Sequence, residues 1–183
     1  MCKASGAVTQ IARALRQTAP GAGRTRVLAI DGRSGSGKTR LAADLGERLA
    51  APVVALEDLY GGWDGLEHGI DLLVADVLEP LAAGRPALVP RYDWVAWEWA
   101  RPRPLAPPPV LIVEGVGAGA RRAAAFASLL VWLEVPADVR KKRALDRDGD
   151  TFAPHWDRWA AQEDALLARE QTPDRADIVV GSL

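Results

Sequence analysis

The chain has no asparagine, one cysteine and two histidines among its 183 residues. Without asparagine it has no N-K-x-D motif, the segment with which GTPases read guanine. The lone Cys2 excludes an intrachain disulfide framework and fits a reducing compartment. Neither His68 nor His155 has a cysteine or histidine neighbour at metal-ligand spacing. Long apolar runs are missing as well, so no segment reads as a membrane span. Near the N-terminus, Val8 to Leu15 is broken by Thr9, Gln10 and Arg13, which a secretory core would not be. The expectation is a cytoplasmic protein with no membrane partner. A net charge of −1 offers no bulk attraction for nucleic acid. With 49% hydrophobic residues the chain can build a core, and its length fits one domain over 1–183.

What the chain does have is Gly32-Arg33-Ser34-Gly35-Ser36-Gly37-Lys38-Thr39, a complete G-x-x-x-x-G-K-[ST] loop. Its glycines let the backbone curl until successive N–H groups point at one anion. Gly32, Ser34, Gly35, Ser36 and Gly37 are therefore the candidate phosphate cradle, with Lys38 reaching the outer phosphates. The Thr39 hydroxyl is a candidate magnesium ligand. Context supports the motif: Arg26 to Asp31 reads as a buried strand, and Arg40 to Ala50 as a helix with Leu41, Leu45 and Leu49 on one stripe.

Elsewhere, helices are expected over Ala4 to Thr18, Ile70 to Ala83, Pro136 to Arg147 and Pro154 to Glu170. Pro80 falls near the end of the second or kinks it. Strands are expected over Pro52 to Leu56, Val110 to Gly115, Leu129 to Val135 and Ala176 to Val180. Arg85 to Pro109, rich in proline and carrying Trp94, Trp97 and Trp99, reads as irregular. Strands alternating with helices predict an α/β fold: a parallel β-sheet with helices on both faces, in three layers.

Ligands of open α/β sheets bind outside the carboxyl ends of the strands. Glu57 and Asp58 follow the second strand and Glu114 ends the third. A carboxylate there can accept the proton of an attacking hydroxyl, and another can position magnesium. Glu57 or Asp58 fits the first task and Glu114 the second. Trp94, Trp97 and Trp99, at spacing two, can stack on a flat ring or cover the core. Trp156 and Trp159 read as core residues at helical spacing.

In order along the chain, these segments resemble the uridine kinase-like branch of the P-loop kinases, a branch of the P-loop NTPase fold. The branch includes uridine-cytidine, nicotinamide riboside, pantothenate and phosphoribulo-kinases. The likeness rests on Ile30 to Thr39, Glu57-Asp58-Leu59-Tyr60, the stretch Leu78 to Trp94 with Gly84, Pro90, Tyr92 and Asp93, Leu111 to Gly115, and Ala176 to Val180. The resemblance implies ATP and magnesium (Mg2+) as cofactors and a small hydroxyl-bearing acceptor, a nucleoside first. Lys38 would stabilise the transferred phosphoryl group. Thr39, Glu57 and Glu114 would make up the metal set. Either Glu57 or Asp58 would be the base, with Glu57 at the base position when Leu59-Tyr60 is aligned. Asp58, Tyr60, Trp63, Asp64, Tyr92 and Trp97 would line the acceptor pocket, Asp64 on ribose hydroxyls. A short lid around 140–153 would bring Arg143 and Arg147, with Arg140, to the phosphates. Trp97 stands where the family has a base-touching histidine, and the lid lacks the later R-G-R. Rival expectations are a kinase of another metabolite or an antibiotic, and an ATP-binding regulator that hydrolyses slowly. The oligomeric state, monomer or homo-oligomer, stays open.

Overall fold

The computed structural model describes residues 2–181. Helix α1 (Cys2–Arg16) precedes strand β1 (Arg26–Asp31), the phosphate loop and helix α2 (Lys38–Leu49). Strand β2 (Val53–Ala55) runs into a 3-10 turn over Leu56–Leu59. Next come α3 (Leu66–Leu72), a widened π turn (Leu73–Leu78) and α4 (Glu79–Ala82). The hairpin β3 (Ala87–Asp93) and β4 (Glu98–Leu105) leads to β5 (Val110–Glu114), α5 (Arg121–Ala124) and β6 (Leu129–Leu133). Helices α6 (Ala137–Phe152), α7 (Trp156–Glu170) and α8 (Thr172–Arg175) then bring the chain to β7 (Ile178–Val180).

Five strands form one parallel sheet in the order β2-β5-β1-β6-β7. The central strand β1 is apolar along most of its length, as a strand covered on both faces must be. Leu28 and Ile30 face a core built with Ile11 and Leu15 of α1 and Leu41 and Leu45 of α2. Val27, with Leu111 and Val113 of β5, faces a second core closed by Ile70, Leu73 and Leu78. The sheet thus has helices on both faces, the three-layer α/β/α arrangement expected. The register places Ile30 opposite Glu114 and Ala55 opposite Glu114. The carboxyl ends of β1, β2 and β5 therefore meet at one edge.

Two local expectations change. The helix expected over 70–83 begins earlier, at Leu66, and widens into the π turn ahead of Pro80. A proline cannot donate to the carbonyl four residues back, and the wider turn accommodates it. The stretch 85–109, expected to be irregular, folds largely into the β3–β4 hairpin. In a two-stranded sheet each strand has an unpaired edge, so prolines are tolerated. Pro90 sits where the register slips between Val89 and Arg91, and Pro104 pairs with Leu88. Among the described residues no helix is long and apolar enough to cross a membrane.

Candidate active site

The phosphate loop starts where β1 ends. Gly35 and Gly37 take φ of 78° and 97°, a region closed to most side chains. Gly35 also packs against the backbone of α6: an added Cβ would stand 2.2 Å from the Arg140 carbonyl oxygen. Gly37 caps α2 with no side-chain hydrogen bond, which leaves the first-turn N–H groups of α2 open to an anion. Ser36 Oγ is buried with no hydrogen-bond partner inside the same loop. An anion held by the loop would give it one.

Neighbouring elements hold the loop in place. Glu163 of α7 is 1% exposed, and its Oε1 accepts the Ser34 N–H at 2.8 Å and the Trp159 Nε1–H at 3.0 Å. The Trp159 indole N–H also lies 2.9 Å from Ser34 Oγ. Arg140 donates to the Ser34 carbonyl at 3.2 Å and to the Val135 carbonyl at 3.1 Å. Asp31, fully buried, accepts the N–H groups of Gly32 at 2.7 Å, Gly117 at 3.0 Å and Gly119 at 2.8 Å. Burial raises the Asp31 carboxyl above its ordinary value, against the pull of these N–H groups and Lys38.

Lys38 is buried, and its Nζ donates to the Arg33 carbonyl at 3.1 Å. Burial lowers its pKa, while Glu114, Glu163 and Asp31 oppose that shift. Glu114 is 4% exposed. Its pKa is raised by burial and held back by Lys38 and by a hydrogen bond from Thr39. Thr39 and Glu114 are thus adjacent, as shared magnesium ligands must be. One hydroxyl and one or two carboxylates suit magnesium, which keeps several waters and shares phosphate oxygens.

These groups open onto a cavity of about 270 Å³. Lys38, Thr39, Glu57, Glu114 and Arg147 line it together with Ser34 and Gly35. The rest of the lining is mostly aromatic: Tyr60, Trp63, Trp94, Phe152 and Trp159. Tyr60 is anchored by donating its hydroxyl to the Val116 carbonyl at 2.8 Å. Its phenol is pushed well above the usual range by burial and by the surrounding Asp31, Glu114, Glu163 and Glu57.

The remaining expected site residues lie elsewhere. Asp58 and Glu57 are both exposed, but only Glu57 lines the cavity. Asp64 is outside the lining too, in a two-point ion pair with Arg158. Tyr92 and Trp97 pack with Trp94 and Trp99 on the hairpin, and Trp97 is 54% exposed. Arg143 does not line the cavity, whereas Arg147 does. Gly32 keeps its place at the loop's entry, next to the Asp31 carboxylate.

Sequence reasoning overlooked Asp31, Glu163, Phe152 and Thr151, and it assigned Trp159 to the core alone. Trp159 and Glu163 stand one helical turn apart, a spacing that puts them on one face of α7. That spacing was the available signal.

No protein-family model matches the chain, and no curated protein matches it. Solved structures with a similar fold do exist. A possible uridine kinase from Bacillus stearothermophilus superposes with a TM-score of 0.69 at 21% identity, covering 94% of this chain and 96% of that one. A candidate fructose transport system kinase from Silicibacter sp. TM1040 superposes with a TM-score of 0.60 at 19% identity, covering 97% and 98%. At these identities the likeness establishes the fold, the α/β phosphate-loop fold that the uridine kinase-like resemblance implied.

Proposed function

We propose that the chain is an ATP- and magnesium-dependent phosphotransferase acting on a hydroxyl of a small acceptor, with a flat ring of the kind a nucleoside carries as the first candidate feature. One observation carries this: Lys38, Thr39, Glu114, Arg147 and Glu57 all line one cavity. The candidate phosphate-binding, metal-holding and base residues thus face the same space. The kinase neighbours of the same fold are consistent with it. A cytoplasmic location fits the lone cysteine and the need for ATP.

The chemistry is a direct in-line transfer. Glu57 accepts the proton of the acceptor hydroxyl, whose oxygen forms the new bond to the outer phosphorus. The bond from that phosphorus to the bridging oxygen breaks, and ADP leaves with the electron pair. Lys38 and the loop N–H groups offset charge on the moving phosphoryl group. Arg147 faces the same space and would add a second cation. Thr39 and Glu114, with Glu57 nearby, would hold magnesium, which supplies charge neutralisation between the outer phosphates. Both candidate bases are exposed, and Asp58 is the weaker because it lies off the cavity that Glu57 lines.

The test compares Glu57→Gln with Asp58→Asn in ADP-release assays. Glu57→Gln should lose about 10²–10⁴ in turnover while still binding ATP. Asp58→Asn should stay near wild type. The reverse order would move the base to Asp58.

A further inference from the structure

Building on the phosphotransferase reading, we infer that the acceptor is a compact aromatic or heteroaromatic alcohol whose hydroxyl sits one carbon off the ring, rather than a ribonucleoside. The aromatic wall of the cavity is tied at one end to the phosphate loop and at the other to the backbone of Glu57. At one end, the Trp159 indole N–H is 2.9 Å from Ser34 Oγ in the phosphate loop. At the other, the Trp94 indole N–H donates to the Glu57 carbonyl at 3.0 Å. Between them the rings form a continuous chain. Trp159 lies 5.0 Å from Tyr60 and 6.3 Å from Trp63, and Trp63 lies 4.9 Å from Trp94, all between centroids. Phe152 and His155 stack on Trp63 at 5.2 and 4.6 Å, and Phe152 itself lines the cavity. The wall therefore begins at the phosphate loop itself.

A flat ring lying on this wall has the phosphate loop beside one edge and the Glu57 segment beside the other. A hydroxymethyl group reaches the space between them. A ribonucleoside places a whole sugar between its reacting hydroxyl and its base, so its sugar, not its ring, would lie against the aromatic side chains nearest the phosphate loop. The sugar would also bring polar groups that need partners once dry. The carboxylate that the resemblance assigns to them, Asp64, is off the cavity and engaged by Arg158. Beyond the phosphate and metal groups, the polar lining is chiefly Glu57, Thr151 and the indole N–H of Trp63, which is buried without a partner among the described residues. That set serves one hydroxyl and, through the Trp63 N–H, one acceptor atom such as a ring nitrogen.

The experiment measures binding and turnover separately. Benzyl alcohol, 3-pyridinemethanol, uridine and adenosine are titrated into the full chain loaded with magnesium and ADP, with binding followed by tryptophan fluorescence and calorimetry. Phosphorylation of each is read as ADP release from ATP. The ring alcohols should bind at least about tenfold more tightly than either nucleoside, a difference one well-placed ring contact supplies. Trp63→Ala, and Thr151→Trp as a cavity-narrowing variant that removes no ring, should each weaken that binding about tenfold or more. Asp58→Asn, which lies off the cavity, should leave it intact. Tighter binding of a nucleoside, or ring-alcohol binding that neither variant disturbs, overturns the inference. Failure of bound ring alcohols to be phosphorylated would instead count against the phosphotransferase reading, with the binding result still standing.

Discussion

The carboxylate of Glu163, buried in α7, accepts the backbone N–H of Ser34 in the phosphate loop at 2.8 Å. These residues are 129 positions apart in the chain. The contact sets how the loop presents its remaining N–H groups. Removing it should leave a donor unpaired in a largely dry place. Glu163→Ala should lower stability by about 1–3 kcal/mol and weaken magnesium–ADP binding. Glu163→Gln keeps an acceptor for Ser34 and should lose less of both. Denaturant unfolding and calorimetric titration check this. Equal behaviour of the two variants would show that packing, not the hydrogen bond, matters there.

Gly35→Ala tests the close approach of the loop to α6. The added Cβ would meet the Arg140 carbonyl oxygen at 2.2 Å, and φ is 78°. Strain of this kind costs about 1–3 kcal/mol even without a clash. The backbone of α6 would also have to retreat. Loss of ATP binding together with a lowered Tm is the expected result, read by calorimetry and thermal unfolding.

Asp31 predicts a pH dependence of stability. Its carboxyl is raised above the ordinary 3.8 by burial, so the native chain holds that proton more tightly than the unfolded chain does. Its contribution is therefore greatest below 3.8 and declines as pH rises from there through the higher folded pKa. Asp31→Asn removes the titration. It also turns an amide donor toward N–H groups that need acceptors, so it should destabilise by about 1–3 kcal/mol. The gap between wild type and variant should narrow with rising pH across that window, as unfolding curves at several pH values would show. A gap that widens would reverse the sign of the Asp31 shift.

The phosphate loop, its flanking strand and helix, and the parallel sheet could be read from the sequence because each rests on local pattern. Glycine spacing, apolar runs and periodic leucines determine them within short windows. The acceptor side could not be read the same way. Tyr92, Trp97 and Asp64 were placed by analogy with a family motif, yet the hairpin carries the first two away from the cavity and Arg158 engages the third. Phe152 and Trp159 come from elements far along the chain and meet Tyr60 and Trp63 only through tertiary packing. The hairpin was hidden by its prolines, whose tolerance depends on having an unpaired edge. For Glu163 the helical spacing from Trp159 was the one local signal, and nothing local pointed to its contact with the distant Ser34 N–H.

The Asp64–Arg158 pair separates the two views of the acceptor. Both side chains are exposed, at 68% and 54%. Exposed pairs contribute at most about 1 kcal/mol, so Asp64→Ala should barely change the Tm. Its KM for the acceptor should stay within about twofold of wild type. A tenfold rise in KM with unchanged stability would return Asp64 to the acceptor pocket.

ADP release from ATP and magnesium, measured with and without hydroxyl-bearing acceptors in wild type and Lys38→Ala, tests phosphotransfer most directly. A kinase gives release that one acceptor class stimulates, with matching phosphorylated product, and Lys38→Ala loses about a hundredfold or more while still folded. Release that no acceptor stimulates, or that Lys38→Ala sustains at the wild-type rate, contradicts it.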